Sequence, residues 1–280
     1  HRLAAKIRAF PAFCKQYALR SIGGGGARSW YRGRARRVNS SRHAGACAAG
    51  PDMESAASPT GMGRNRTLSD LASKIRVALD AGLNTEALDL ARGAAPGDPP
   101  SPELHYLGAL ASARMGATGE AERWLAQIDR GALGSSPLAT EVWSLAGRIA
   151  KERYSLTRDT APDAARDFAR AALDGYRHAY AIGGSAYPAV NAATIAMLSG
   201  DPALARKLAQ QALAAMDASG DHWHQASAGE ALLLLDDVDA ARRHYAEARR
   251  LAGTRFGDIA AMRRQLLLIG TPAAQELLDV

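Results

Sequence analysis

Residues Tyr187 to Leu213 read YPAVNAATIAMLSGDPALARKLAQQAL. Gly200-Asp201 divides this stretch into two short helical patterns that must run antiparallel. Ala189, Ala192, Ala193 and Ala196 recur through the first, and Ala205, Ala209 and Ala212 share one face of the second. Positions i, i+4 and i+7 lie on one side of a helix. A hairpin this small cannot bury its own apolar stripe, so it needs copies of itself on either side.

The copies are present. Taking the small residue midway through each second helix as an anchor gives Ala87, Ala121, Ala172, Ala205 and Ala241, separated by 34, 51, 33 and 36 residues. Five positions before four of the anchors stands a turn residue: Gly82, Gly116, Gly200 and Asp236. Four positions after them come Ala91, Leu125, Tyr176, Ala209 and Tyr245, and three further on Ala94, Ile128, Ala179, Ala212 and Ala248. Every second helix therefore carries the same packing stripe. In the first helices, Leu104-x3-Gly108, Trp143-x3-Gly147 and Gln225-x3-Gly229 align with Ala189-x3-Ala193. A Gly or Ala there lets the neighbouring helix approach closely.

This pattern resembles the tetratricopeptide repeat, a helical hairpin of about 34 residues. Leu107-Gly108 and Trp143 with Ala146-Gly147 match best, while helix-terminal prolines are missing and Ala often replaces a larger residue. The expected fold is all-α: a helical-hairpin solenoid of about five hairpins. Phe256 to Ile269 form a capping helix and Pro272 to Val280 a short tail helix. The 51-residue spacing marks an elongated unit, whose first helix runs through Arg153 or beyond before a loop near Asp159 to Pro162. Pro137, Pro162, Pro188 and Pro202 fall near helix starts, where a missing N–H costs least. Gly183-Gly184-Ser185 reads as a helix C-cap.

Composition divides the chain in two. Residues 1–52 hold eleven Lys and Arg and one acid, a charge of +10, which leaves 24 basic and 27 acidic residues elsewhere, a net charge of −3. Mild acidity over residues 66–280 argues against a nucleic-acid-binding face there. Residues 1–65 are expected to be a basic, disordered extension that builds no packed core, or sequence ahead of the natural start, since Met53 and Met62 precede the first regular helix. The alternatives are an arm for RNA or an anionic membrane, through Arg32, Arg34, Arg36 and Arg37, and a mitochondrial-type leader. Both cysteines, Cys14 and Cys47, lie in this segment, so no disulfide framework or thiolate metal site is expected in the rest. No apolar run is long enough to span a membrane.

A closer resemblance covers Trp143 to Ile269. LAGRIAKERY (Leu145 to Tyr154), YPAVNAATIAMLSGD (Tyr187 to Asp201), HWHQASAGEALLLLDD (His222 to Asp237) and MRRQLLLI (Met262 to Ile269) resemble the TRAFs-binding domain. That domain belongs to apoptosis-signal-regulating MAP kinase kinase kinases and bacterial relatives. The resemblance implies a helical-repeat regulator that binds adaptor proteins; this chain has no kinase domain of its own.

The first helices of such repeats line a concave groove. Arg148, Thr194 and Glu230 follow the equivalent Gly147, Ala193 and Gly229 and should point into it, with Lys151, Glu152 and Asn191 near the same surface. Arg148 offers a forked donor to a partner carboxylate. The internal alternative pairs Arg148 with Glu230, or satisfies it through Asn191, and stitches adjacent repeats together. His222-Trp223-His224 at a helix start reads as a packed Trp223 between exposed, diverging histidines, with no further metal ligands near them. Asp236, Asp237 and Asp239 read as caps of the helix that follows. No nucleophile elbow and no phosphate loop appears.

These observations point to a non-catalytic, cytoplasmic protein-interaction module, a scaffold or regulator that holds a partner polypeptide in its groove and uses no cofactor and no metal. The alternatives are an accessory or sensor subunit of a signalling enzyme carried on another chain, and an RNA-associated protein using the basic arm.

Overall fold

The computed structural model describes residues 61–93, 101–216 and 220–279. The basic run Arg32 to Arg37, both cysteines and Ala94 lie outside them. Twelve α-helices and no strand occur among the described residues. They pair as α1 (Gly61–Asp80) with α2 (Asn84–Gly93), α3 (Pro102–Arg114) with α4 (Thr118–Leu125), and α5 (Pro137–Thr157) with α6 (Pro162–Gly183). Then come α7 (Ala186–Leu198) with α8 (Pro202–Ala214) and α9 (His222–Leu234) with α10 (Val238–Ala252). α11 (Phe256–Ile269), the short α12 (Pro272–Glu276) and a 3₁₀ turn (Leu277–Asp279) close the series. That is the expected five hairpins, cap and tail.

Turn chemistry explains the hairpins. Gly82, Gly116 and Gly200 have φ of 77°, 76° and 82°, and in the fifth hairpin Asp236 takes the same left-handed conformation at 68°. Asp is among the few residues with a side chain that tolerate this region. The next residue then caps the new helix: the carboxylates of Asp201 and Asp237 accept from the amides of Leu204 and Ala240. Four longer helices and α12 begin on a proline, and Gly184 caps α6 with φ of 63°.

The anchors are in the core. All five are at most 2% exposed, and the residues four positions after them are buried as well. Gly108, Gly147 and Gly229 lie against aromatic rings of the second helices. A Cβ at Gly108 would sit 2.8 Å from Trp124, one at Gly147 2.9 Å from Tyr176, and one at Gly229 2.8 Å from Tyr245. Glycine is what lets these rings lie flat on the opposing backbone. The elongated third hairpin has a second close approach at the same level, with Gly175 of α6 against the Gly147 backbone.

Apolar clusters run across hairpin boundaries, as stacking requires. One joins hairpins one and two to Val142, Leu145 and Ile149 of α5. A second joins Tyr176 to α7, α8 and α9, and a third joins α9 and α10 to α11, α12 and the last turn.

Candidate functional site

First helices α5, α7 and α9 line a groove of about 1300 Å³, with α11 along one side and the turn of hairpin one at one end. Arg148, Lys151, Glu152, Asn191 and Glu230 all line it. Thr194 does not; it is fully buried behind Glu230.

Four of these residues form one polar network. Asn191 donates to the Tyr187 carbonyl at 2.9 Å and accepts from Lys151 Nζ. Lys151 Nζ also donates to Gln265 Oε1 of α11 at 3.0 Å. Gln265 Nε2 donates to Glu230 Oε1 at 2.6 Å, and the same oxygen accepts from the Thr194 hydroxyl. Helices α5, α7, α9 and α11 thus meet through side chains whose polar atoms satisfy one another.

Electrostatics follow from that enclosure. Burial pushes the Lys151 ammonium down to about 8; the charge of Arg148 acts the same way, and Glu230 opposes it. Burial likewise raises the Glu230 carboxyl, against Lys151 and the bonds from Thr194 and Gln265. Tyr176 and Tyr245, against Gly147 and Gly229, are both pushed up by burial.

Arg148 does not pair with Glu230. It lines the groove half-buried, with no hydrogen bond or ion pair to the described residues, and Lys151, three positions on, is the cation facing that carboxylate. Those three positions are nearly one helical turn, so both project from the same side of α5. Glu152 is exposed. Gln265 leaves little trace in the sequence. Its only local mark is a polar residue within the apolar stripe of Met262, Leu266 and Ile269, and the groups that need it stand 35 and 114 positions away.

The His222 to His224 stretch is the reverse of the expectation. His222 is 8% exposed and Trp223 is 43% exposed. His222 Nε2 meets Asp258 Oδ2 of α11 at 3.0 Å, which gives the buried ring a partner, while His224 Nδ1 lies 2.8 Å from Asp221. The two imidazoles address different carboxylates. Trp223 is left to the groove, where Tyr187 and Leu267 are also exposed. Among the described residues no three His, Cys, Asp or Glu side chains come together as a metal site, and no helix is long and apolar enough to cross a membrane.

A model of the family described as Tetratricopeptide Repeats-Sensor matches residues 84–196, from α2 to the last turn of α7. No curated protein matches the chain. Among solved structures, the thermophilic TPR protein TTC0263 of Thermus thermophilus is similar with a TM-score of 0.54 at 18% identity, covering 71% of this chain and 98% of that one. The human IFIT1 dimer with PPP-AAAA is similar with a TM-score of 0.52 at 15% identity, covering 75% of this chain and 53% of that one. Likeness at such identities is a likeness of fold. With the hairpin turns, the buried anchors and the repeat-family match, it makes this chain an all-α helical-repeat solenoid of tetratricopeptide type.

Proposed function

We propose that the chain is a non-catalytic protein-interaction module that holds a partner polypeptide in its concave groove. The helical part, from about residue 66 onward, does the binding. The observation that carries this is the composition of the groove. Arg148 presents a guanidinium with no hydrogen-bond or ion-pair partner among the described residues, in the same groove as three exposed large side chains, Tyr187, Trp223 and Leu267. Arginine and large aromatic residues dominate the binding energy of peptide and protein interfaces, and an unpaired guanidinium is matched by a carboxylate in forked geometry. Thr194 supports the groove from behind, Asn191, Lys151 and Glu230 are tied into its wall by their shared network, and contact with the partner falls chiefly to Arg148, Glu152 and the exposed rim. The sensor description of the matching family and the resemblance to the TRAFs-binding domain both favour a regulatory role over a purely architectural one, in the cytoplasm and with a signalling enzyme on another chain.

Selection of a displayed random dodecapeptide library on the full chain tests this. Enriched peptides should carry an Asp or Glu beside an apolar residue. Arg148→Glu should weaken them at least tenfold while the melting temperature stays within about 2 °C. An absence of enrichment, or enriched peptides indifferent to both Arg148→Glu and Trp223→Ala, would overturn it.

A further inference from the structure

α11 does more than cap. Met262, Leu266 and Ile269 bury against α10 and α12, which is what a terminal helix must do for the last hairpin. Its other side reaches back to the third hairpin. Gln265 accepts from Lys151 at 3.0 Å, and the Leu268 carbonyl accepts from Arg158 Nη1 at 3.2 Å. Lys151 and Arg158 are two turns apart at the end of α5, and Gln265 and Leu268 are one turn apart on α11, so the two helix ends lie side by side. The Leu268 carbonyl belongs to the last turn of α11, where no intrahelical donor remains, and Arg158 supplies one.

This seam differs from those that join the hairpins. None of the apolar clusters contains residues of both α5 and α11. Polar seams exchange protein hydrogen bonds for water at little net cost, roughly a threefold to tenfold change in equilibrium for each bond, whereas the hairpin seams cannot open without exposing apolar surface. The contacts of the seam also stand on the wall of the groove: Lys151, Arg158, Gln265 and Leu268 all line it.

We infer that α11 is a clasp that opens and closes the groove. Its apolar side stays docked on α10, and its polar seam with α5 releases as a unit through the loss of the Lys151–Gln265 and Arg158–Leu268 bonds. Release frees the Gln265 Oε1 acceptor and the Arg158 Nη1 donor, and leaves Lys151 to Asn191 and Gln265 Nε2 to Glu230, so an occupant that engages the freed groups favours the open state. The clasp rests on the groove being the place where the partner binds and supplies its regulation.

Hydrogen exchange of the full chain, read without any partner, tests the clasp. In the unaltered protein the amides of residues 260–269 should exchange at least tenfold faster than those of α9. In the Arg158→Ala/Gln265→Ala double variant they should accelerate about tenfold more, with α7 and α9 unchanged. Arg158→Lys with Gln265 kept, which leaves a cation and an acceptor at the seam, should restore the slower rate. Protection of α11 equal to that of α9 in the unaltered protein would overturn the clasp, as would acceleration spread evenly over α7, α9 and α11 in the double variant. Because no ligand takes part, such a failure leaves the groove as a peptide site standing. A failed peptide selection with fast α11 exchange would leave the clasp without its regulatory meaning.

Discussion

Two kinds of contact hold this solenoid, and the inside of a hairpin contrasts with the seam between α5 and α11. In hairpins three and five a tyrosine ring lies on a glycine, Tyr176 on Gly147 and Tyr245 on Gly229. In hairpin four the same two positions are Ala193 and Ala209, both fully buried. Small and large residues are exchanged across the same interface, so the helices stay close while the volume between them stays filled. The seam between α5 and α11 has no such complementarity and relies on hydrogen bonds among Lys151, Gln265, Arg158 and the Leu268 carbonyl. Packing fixes the hairpins, and polar satisfaction sets how the coil closes on its groove.

The sharpest break in that contrast is on the packed side. Tyr176→Ala removes a fully buried ring that connects α5, α6 and α7 and should cost about 3–5 kcal/mol in chemical denaturation. Gly147→Ala pushes a methyl into the same ring and should cost about 1–3 kcal/mol. The double variant should lose less than the sum, because without the ring the methyl has room. Additive losses would mean that glycine serves the helix backbone there and not the ring.

On the polar side, Glu230→Ala takes the acceptor from Thr194 and Gln265 and the counter-charge from Lys151, with an expected cost of about 2–4 kcal/mol. Lys151→Met in that background should recover a large part of the loss, since the stranded cation is what makes the single variant costly. If recovery does not occur, Glu230 is held by its hydrogen bonds alone.

The two sides also differed in how far they could be read from the amino-acid order. Turn residues, anchors and stripes lie within one helix or one hairpin, where the period of 3.6 residues is enough to align them, and Asp236 was recognisable as the counterpart of Gly200. The groove depends on partners that meet across hairpins. Equivalent positions in their repeats make Arg148 a candidate partner for Glu230, but Lys151 has the reach and the rotation to face that carboxylate, and Gln265 comes from a helix outside the repeat. The inversion at His222 and Trp223 has the same origin. A histidine is buried there because Asp258, 36 positions on, supplies its partner, and the tryptophan is then turned toward the groove.

The seam can be sharpened further by titration. The folded value for Lys151, about 8, lies below the ordinary 10.5. Between these limits the unfolded chain holds a proton that the folded chain has released, so stability rises with pH through this window. Denaturation at pH 7.5, 8.5 and 9.5 should show a gain of up to about 1.4 kcal/mol per pH unit relative to Lys151→Met, the slope for one proton. Above pH 10 the buried Tyr176 and Tyr245 contribute the opposite sign, because their folded values lie above those of the unfolded chain. A flat difference between the two proteins would place the ammonium in water, and Gln265 would then be free to turn away from it.

The smallest effect belongs to the outer surface, where neither kind of contact operates. Arg166 pairs with Asp163 on the first turns of α6, and both side chains stand well into solvent. Solvent screens such a pair and side-chain entropy offsets what attraction remains, so Arg166→Ala should change stability by less than about 0.5 kcal/mol. The comparison with Arg158 is then informative: it is also an arginine near a helix end with an exposed acid beside it, Asp159 at 3.6 Å, but it donates as well to a carbonyl of α11. Arg158→Ala should leave global stability nearly as unaffected as Arg166→Ala does, and yet alter exchange in α11 where Arg166→Ala does not. A cation that holds a seam and a cation that decorates a surface differ in where their loss is felt more than in how much stability it removes.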